Sequence, residues 1–210
     1  QDEKLYRPAS TEKVVTSVSA LGTLGTDYTM DTRLQYTGTI ENDTLKGSLY
    51  LIGGFDPEFM DEDLDSLVDI IAKSGIRYIT DTLAADVSMT DSIYWGNGWS
   101  WDDVPASFQP YMSPLMLNRG CVDVTVIPAQ KDSLPQVVCV PASDYYQVDN
   151  DGVSNNPQAG RLQITRNWLH HGNLIHISGN VTKETTRTLS IYNSKEFFFQ
   201  TFVNRLKSKG

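Results

Sequence analysis

The sequence is short of cysteine, histidine, positive charge and long apolar runs. Cys121 and Cys139 are its only cysteines in 210 residues, too few for a disulfide framework. The segments around them read as neighbouring strands with no evident side-by-side register, so two free thiols are expected, with a single bridge as the alternative. The three histidines, His170, His171 and His176, lie around a predicted turn. Adjacent residues on a strand point to opposite faces, so a three-histidine site has poor geometry and no metal is expected. Asp149 and Asp151-Gly152 lack the spaced ligands and closing Glu of a calcium loop and read as a turn. Lys and Arg number 17 against 26 Asp and Glu, a net charge of −9. That balance excludes a nucleic-acid backbone as partner and argues against an anionic membrane surface. No apolar run approaches the ~20 residues of a spanning helix. No repeat or low-complexity tract is present, and no initiator Met precedes Gln1. The chain therefore reads as a mature or trimmed product whose compartment its start does not reveal.

What is present is a helical head, a long strand-rich middle and a closing helix, an α/β (α+β) pattern. Hydrophobic residues make up 40% of the chain, enough for a real core in one large domain or two small ones. Helical spacing runs from Ser10 through Val14, Val18 and Leu21 to a stop at Gly25. Thr32 to Tyr36 and Thr44 to Ile52 predict a hairpin around Asn42-Asp43. Asp61 to Ser74 predicts a second helix with Leu64, Leu67, Val68 and Ile71 on one face and Gly75 as its stop. Strands are expected at Ile76 to Thr82, Cys121 to Ile127, Gln136 to Val140, Arg161 to Thr165 and Asn173 to Ser178. Val148 to Gly160 reads as a polar loop. Ser194 to Lys209 predicts the last helix, with Phe198, Phe202, Val203 and Leu206 inward. Tyr94, Trp95, Trp99 and Trp101 crowd one loop. They read as a satellite cluster pinning that loop, with sugar stacking as the functional alternative.

The stretch RPASTEKVVTSVSALGTLG, residues 7 to 25, carries the chemistry. Glu12, Thr16 and Ser19 form its polar stripe, whereas Lys13 falls with Ser10, Val14, Ser17, Leu21 and Leu24 on the side an amphipathic helix would bury. Ser10 and Lys13 are three apart and therefore neighbours on a helix. A serine hydroxyl is a poor nucleophile until a neighbour takes its proton. A lysine kept from water near the positive end of a helix dipole favours its neutral form and can take it. The N–H groups of the same turn are candidate oxyanion donors. Set against this, Ser-x-x-Lys occurs by chance about once in a chain of this length, with Ser10 as a plain cap and Lys13 reaching for water.

The surroundings add a resemblance. PASTEK, ALGTLGTDYTMDTRL, GTIENDTLKGSLYLIGGFDPEF, SGIRYITDTL, WGNGWSWDDVP, YMSPLMLNRGCVDVTV and SIYNSKEFFFQTFVNRLKSKG resemble, in order, class C low-molecular-mass penicillin-binding proteins. These are serine D-alanyl-D-alanine carboxypeptidase/endopeptidases of bacterial cell walls. The resemblance implies the start of a transpeptidase-like catalytic domain in residues 1–30, a strand-rich inserted accessory region in 31–185, and a helix returning to the catalytic domain in 186–210. It implies Ser10 as acylated nucleophile, Lys13 as its proton partner, peptidoglycan stem peptides as substrates and β-lactams as acylating ligands. No cofactor is implied, and a periplasmic or otherwise extracytoplasmic location is. Asn118 falls where some members carry an acid that meets the peptide's free amine, so it is the candidate substrate-binding residue.

The chain departs from the family in lacking Lys-Thr-Gly. Ser154-Asn155-Asn156 and Ser178-Gly179-Asn180 fit the accompanying Ser-x-Asn by letter only. In the family both motifs follow the closing helix, so the chain is expected to be the N-terminal part of a longer protein and inactive alone. The alternative reading is a non-catalytic peptidoglycan-binding or scaffolding module with the same fold. An active-site-serine β-lactamase is disfavoured because no Ser-Asp-Asn follows the first helix.

Overall fold

The computed structural model describes residues 3–209, which fall into two compact units divided between Met30 and Asp31. In the first unit a 3-10 turn over Ala9–Thr11 runs into helix α1, Glu12–Leu24. Gly25, at φ +83°, ends it with its N–H on the Leu21 carbonyl at 3.0 Å. The expected burial of one face of this helix is not found. No residue of α1 is buried, and Val14, Val18 and Leu21 are more than half exposed. Among the described residues of its unit the other large apolar side chains, Leu5, Tyr6, Tyr28 and Met30, are themselves exposed and do not cover it.

The second unit opens with the predicted hairpin, drawn as four short strands: β1 (Arg33–Tyr36), β2 (Thr39–Glu41), β3 (Thr44–Lys46) and β4 (Leu49–Ile52). The register that pairs Thr39 with Lys46 continues without a slip to pair Tyr36 with Leu49. The break between them is a contact of two glycines. A Cβ on Gly38 would stand 1.9 Å from the Lys46 carbonyl oxygen, and one on Gly47 would stand 2.0 Å from that of Thr37. The backbones are too close there for any side chain, so the ribbon bends.

Strands β5 (Tyr78–Ile79) and β6 (Leu83–Asp86) add in parallel at one constant offset, Thr44 facing Tyr78 and Leu49 facing Leu83. The single strand expected at residues 76–82 is thus two, parted at the same bend and reaching four residues further. Helix α2, Asp61–Lys73, connects β4 to β5. It buries Leu64, Val68 and Ile71, and Asp63 accepts the Met60 N–H at 2.8 Å to secure its first turn.

Two more three-stranded sheets follow. In one, β7 (Cys121–Ile127) lies between β8 (Gln136–Val140) and β12 (Thr185–Ser190), all antiparallel. Val122, Val124 and Val126 are fully buried, the alternation of a strand with one covered face. Cys139 faces Val124 across the pair, three residues from Cys121, and both thiols are free. In the other sheet, β11 (Leu174–Val181) lies between β10 (Gln163–Arg166), antiparallel, and β9 (Gln147–Ser154), parallel.

Strand β9 overturns the reading of Val148 to Gly160 as a loop. Its residues are polar because one face meets water, while eight consecutive residues pair with β11 and satisfy the backbone. Asp149 and Asp151-Gly152 are therefore strand residues, not a turn. Ser154 is likewise ordered and buried, its Oγ accepting the Ala129 N–H at 3.0 Å. Ser178-Gly179-Asn180 lies inside β11 rather than at its end.

Helix α3, Ser194–Ser208, closes the fold. Phe197, Phe198 and Phe202 have no exposed surface and join Leu64, Leu117, Val124 and Ile177 in one core. Phe197 is thus a core residue beside the expected Phe198 and Phe202. The Phe59 and Phe198 rings meet at 5.0 Å.

Candidate active site

Ser10 lies in the 3-10 turn, one turn ahead of most of α1, and Pro8 rather than Ser10 occupies the capping position. Lys13 Nζ donates to Ser10 Oγ at 2.9 Å. The three-residue spacing thus brings hydroxyl and amine together through local geometry alone. Both side chains are exposed. The backbone around them is held by Thr11, whose N–H and hydroxyl both reach the Pro8 carbonyl, at 3.1 and 2.5 Å. Glu12 N–H bonds the Ala9 carbonyl. The expectation of free oxyanion donors in this turn therefore does not hold for the Thr11 and Glu12 N–H groups, which tighten the turn instead. Chemically, a hydroxyl at 2.9 Å from an amine can pass its proton to that amine while attacking a carbonyl carbon.

Asn118 lies in the second unit. It and Arg119 have left-handed backbones, at φ +48° and +59°, a conformation that asparagine tolerates. The Asn118 N–H bonds the Phe59 carbonyl at 3.0 Å, while its Oδ1 is buried with no hydrogen-bond partner. Arg119 beside it clasps Glu58 through two contacts of 2.7 Å, which raises its pKa. Asn118, Arg119, Met60, Phe108 and Cys121 border a cavity of about 300 Å³. Burial pushes the Cys121 thiol up to about 12, so it is no nucleophile there at neutral pH.

The histidines separate as strand geometry requires. His170 and His171 sit on a short turn, and His176 is on β11. His176 instead meets Asp149 on β9, with Nδ1 and Oδ2 at 3.2 Å, and Asp151 is two residues along the same face. Ligand atoms of these three lie within 4.8 Å of one another. Among the described residues this is the group able to hold a metal ion, and it sits on an open strand face. The sequence reading missed it because β9 was taken for a loop.

The aromatic loop does form a cluster. Trp95 lies against Tyr111 at 5.0 Å, and Tyr94 meets both Tyr111 and Tyr192 edge-on. Trp101 pairs with Trp168 at 5.5 Å. Trp168 and Tyr111 had no signal in the sequence beyond their residue type.

A family model described as the D-Ala-D-Ala carboxypeptidase 3 (S13) family matches residues 1–210. The chain belongs to this family. Among relatives of this S13 chain, a D-alanyl-D-alanine carboxypeptidase of an Actinomadura species is 30% identical over 153 residues, 70% of this chain and 28% of that protein. The D-alanyl-D-alanine carboxypeptidase DacB of Haemophilus influenzae is 33% identical over 113 residues, 54% of this chain and 24% of the relative. The chain thus spans about a quarter of the length of the curated relatives it matches. A crystal structure of penicillin binding protein 4 from Haemophilus influenzae superposes with a TM-score of 0.76 at 23% identity, over 97% of this chain and 46% of the other. A second, complexed with a β-lactam, gives 0.65 at 21% identity, over 96% of this chain and 42% of the other. At such identities these two establish the shared, strand-rich α/β fold.

Proposed function

We propose that this S13 chain carries the acylation centre of a serine D-alanyl-D-alanine carboxypeptidase/endopeptidase acting on peptidoglycan stem peptides. The observation that supports the reading is the 2.9 Å contact between Ser10 Oγ and Lys13 Nζ. In the proposed reaction the Lys13 side chain takes the hydroxyl proton while Oγ attacks the carbonyl of the penultimate D-Ala. The C–N bond breaks, the leaving D-Ala amine takes the proton, and an ester to Ser10 remains. Water then adds to the ester carbonyl, the acyl C–Oγ bond breaks, the shortened peptide leaves as its carboxylic acid, and Oγ regains a proton. A β-lactam would open on the same oxygen and stay bound. The substrate places the enzyme outside the cytoplasm, and no helix among the described residues is long and apolar enough to cross a membrane. Asn118 would contribute to substrate binding through a neutral amide rather than a charge.

The test is intact-mass measurement of the full-length protein after exposure to benzylpenicillin. One adduct, absent in Ser10→Ala and formed roughly 10²–10⁴-fold more slowly in Lys13→Met, is expected. A folded protein with no adduct refutes the reading and favours a non-catalytic wall-binding module. Lys-Thr-Gly does not occur in these 210 residues, so a polypeptide limited to them is expected not to hydrolyse D-Ala-D-Ala peptides.

A further inference from the structure

Strands β9 and β11 run parallel, with Asp149 facing His176 and Asp151 facing Ser178. Residues two apart on a strand share a face, so both carboxylates and the imidazole project from one side of the sheet. On the other side Ile175 and Ile177 are fully buried. The three groups therefore stand on a backbone held by the core beneath and by eight consecutive paired residues. His176 Nδ1 and Asp149 Oδ2 are 3.2 Å apart. Ligand atoms of all three residues lie within 4.8 Å of one another.

A plain histidine–aspartate contact accounts for Asp149 and leaves Asp151 without a role. Two carboxylates on one strand face repel each other, and among the described residues neither is paired with Lys or Arg. The strand also forms against its own composition. Asp149, Asn150, Asp151 and Gly152 are residue types that strands avoid, and departures of this kind gather at functional sites. A cation held between the two strands offsets the repulsion and engages all three groups at once.

The donor set selects the ion. Bonds of about 2.0–2.2 Å to zinc allow ligand atoms to stand up to about 4.2 Å apart. The side chains of Asp149 and His176 are 51% and 39% exposed and Asp151 is exposed, so small rotations in water close the present spread. An imidazole nitrogen with two carboxylate oxygens suits a first-row transition metal, whereas calcium seeks six to eight oxygens. We infer that Asp149, Asp151 and His176 bind one divalent transition-metal ion of the zinc class, with water in its remaining position. The ion ties β9, an edge strand, to the central strand β11. Nothing in this inference rests on the active-site reading.

Calorimetric titration of the full-length protein with zinc chloride, paired with the thermal unfolding midpoint, tests it. Saturation at this site and a midpoint raised by zinc are expected, since the ion binds only the folded strand pair. His176→Gln and Asp151→Asn should each weaken the site by more than about tenfold and abolish the rise in midpoint. Asp151 is exposed, so its change leaves the zinc-free midpoint where it was. His170→Gln, on the neighbouring turn, should alter neither reading. A folded protein with no saturable binding up to about 1 mM zinc overturns the inference. So does an affinity unchanged in Asp151→Asn, which would mean that zinc meets the histidine alone, or an affinity lost in His170→Gln. An equal rise in midpoint with calcium chloride also overturns it, because simple charge neutralisation would then suffice.

Discussion

The ion pair joining α2 to α3 gives a quantitative test of the packing. Arg205 Nη2 meets Asp61 Oδ1 at 2.5 Å, and Nη1 reaches both the Asp61 carbonyl at 3.1 Å and Asp65 Oδ1 at 2.9 Å. The side chains of Arg205 and Asp61 are 17% and 24% exposed, whereas that of Asp65 is 63% exposed. Exposed pairs contribute about 0–1 kcal/mol and breaking buried ones costs about 3–5. The Arg205–Asp61 coupling is therefore expected at about 1–2 kcal/mol, and Arg205–Asp65 at about 0.5 or below. Asp61 also lies in the first turn of α2, where a negative charge is favourable by itself, so Asp61→Asn alone overstates the pair. A double-mutant cycle of Arg205→Ala with Asp61→Asn, read by urea unfolding at low salt, removes that contribution. The same cycle with Asp65→Asn is the comparison. A coupling below about 0.3 kcal/mol for Asp61, or one no larger than that for Asp65, refutes the argument from burial.

Two further outcomes follow from the same structure. Gly38→Ala forces a Cβ to 1.9 Å from a carbonyl oxygen at φ +86° and should cost about 1–3 kcal/mol in chemical unfolding; an unchanged midpoint would mean the bend is not a close backbone contact. Burial, then the nearby Glu196 charge, raises the Tyr145 phenol from its usual 10.0 to about 12, and burial raises Tyr146 as well. The folded state then holds these protons more tightly than the unfolded chain, so their contribution is full below pH 10 and is lost as pH rises towards 12. Phenolate absorbance in native and denatured protein checks this, and coincident titrations would contradict it.

Much of the fold was legible because local pattern and tertiary fate agreed. The alternation in Cys121–Ile127 and the run Gln136–Val140 gave β7 and β8 to the residue. The face of Leu64, Val68 and Ile71 gave α2. The turn at Asn42-Asp43 fixed the hairpin, though not its bend, because Gly38 and Gly47, nine residues apart, carry no sign in the sequence of facing each other. Strand β9 was hidden for a different reason: Asp149, Asn150, Asp151 and Gly152 all disfavour strands locally, and only the parallel partner β11 holds them extended. Of the candidate site, the Ser10–Lys13 contact was readable since it needs a single helical turn. The environment of Lys13 was not, since amphipathic spacing marks a face able to be buried without saying what covers it. The full aromatic cluster was invisible, because Tyr111, Trp168 and Tyr192 join the Tyr94–Trp101 loop from three other stretches of chain.

The unbroken register through the glycine bend has a consequence for folding. One tight turn at Asn42-Asp43 sets the alignment of every residue on both sides of the kink, and the returning segment 78–86 adopts the same offset throughout. A slip of one residue there would turn Leu45, Leu49 and Leu51 outward together and void the platform on which α2 lies. The glycine pair acts as a lock against such a slip, since any displaced alignment drives a Cβ into the opposing backbone.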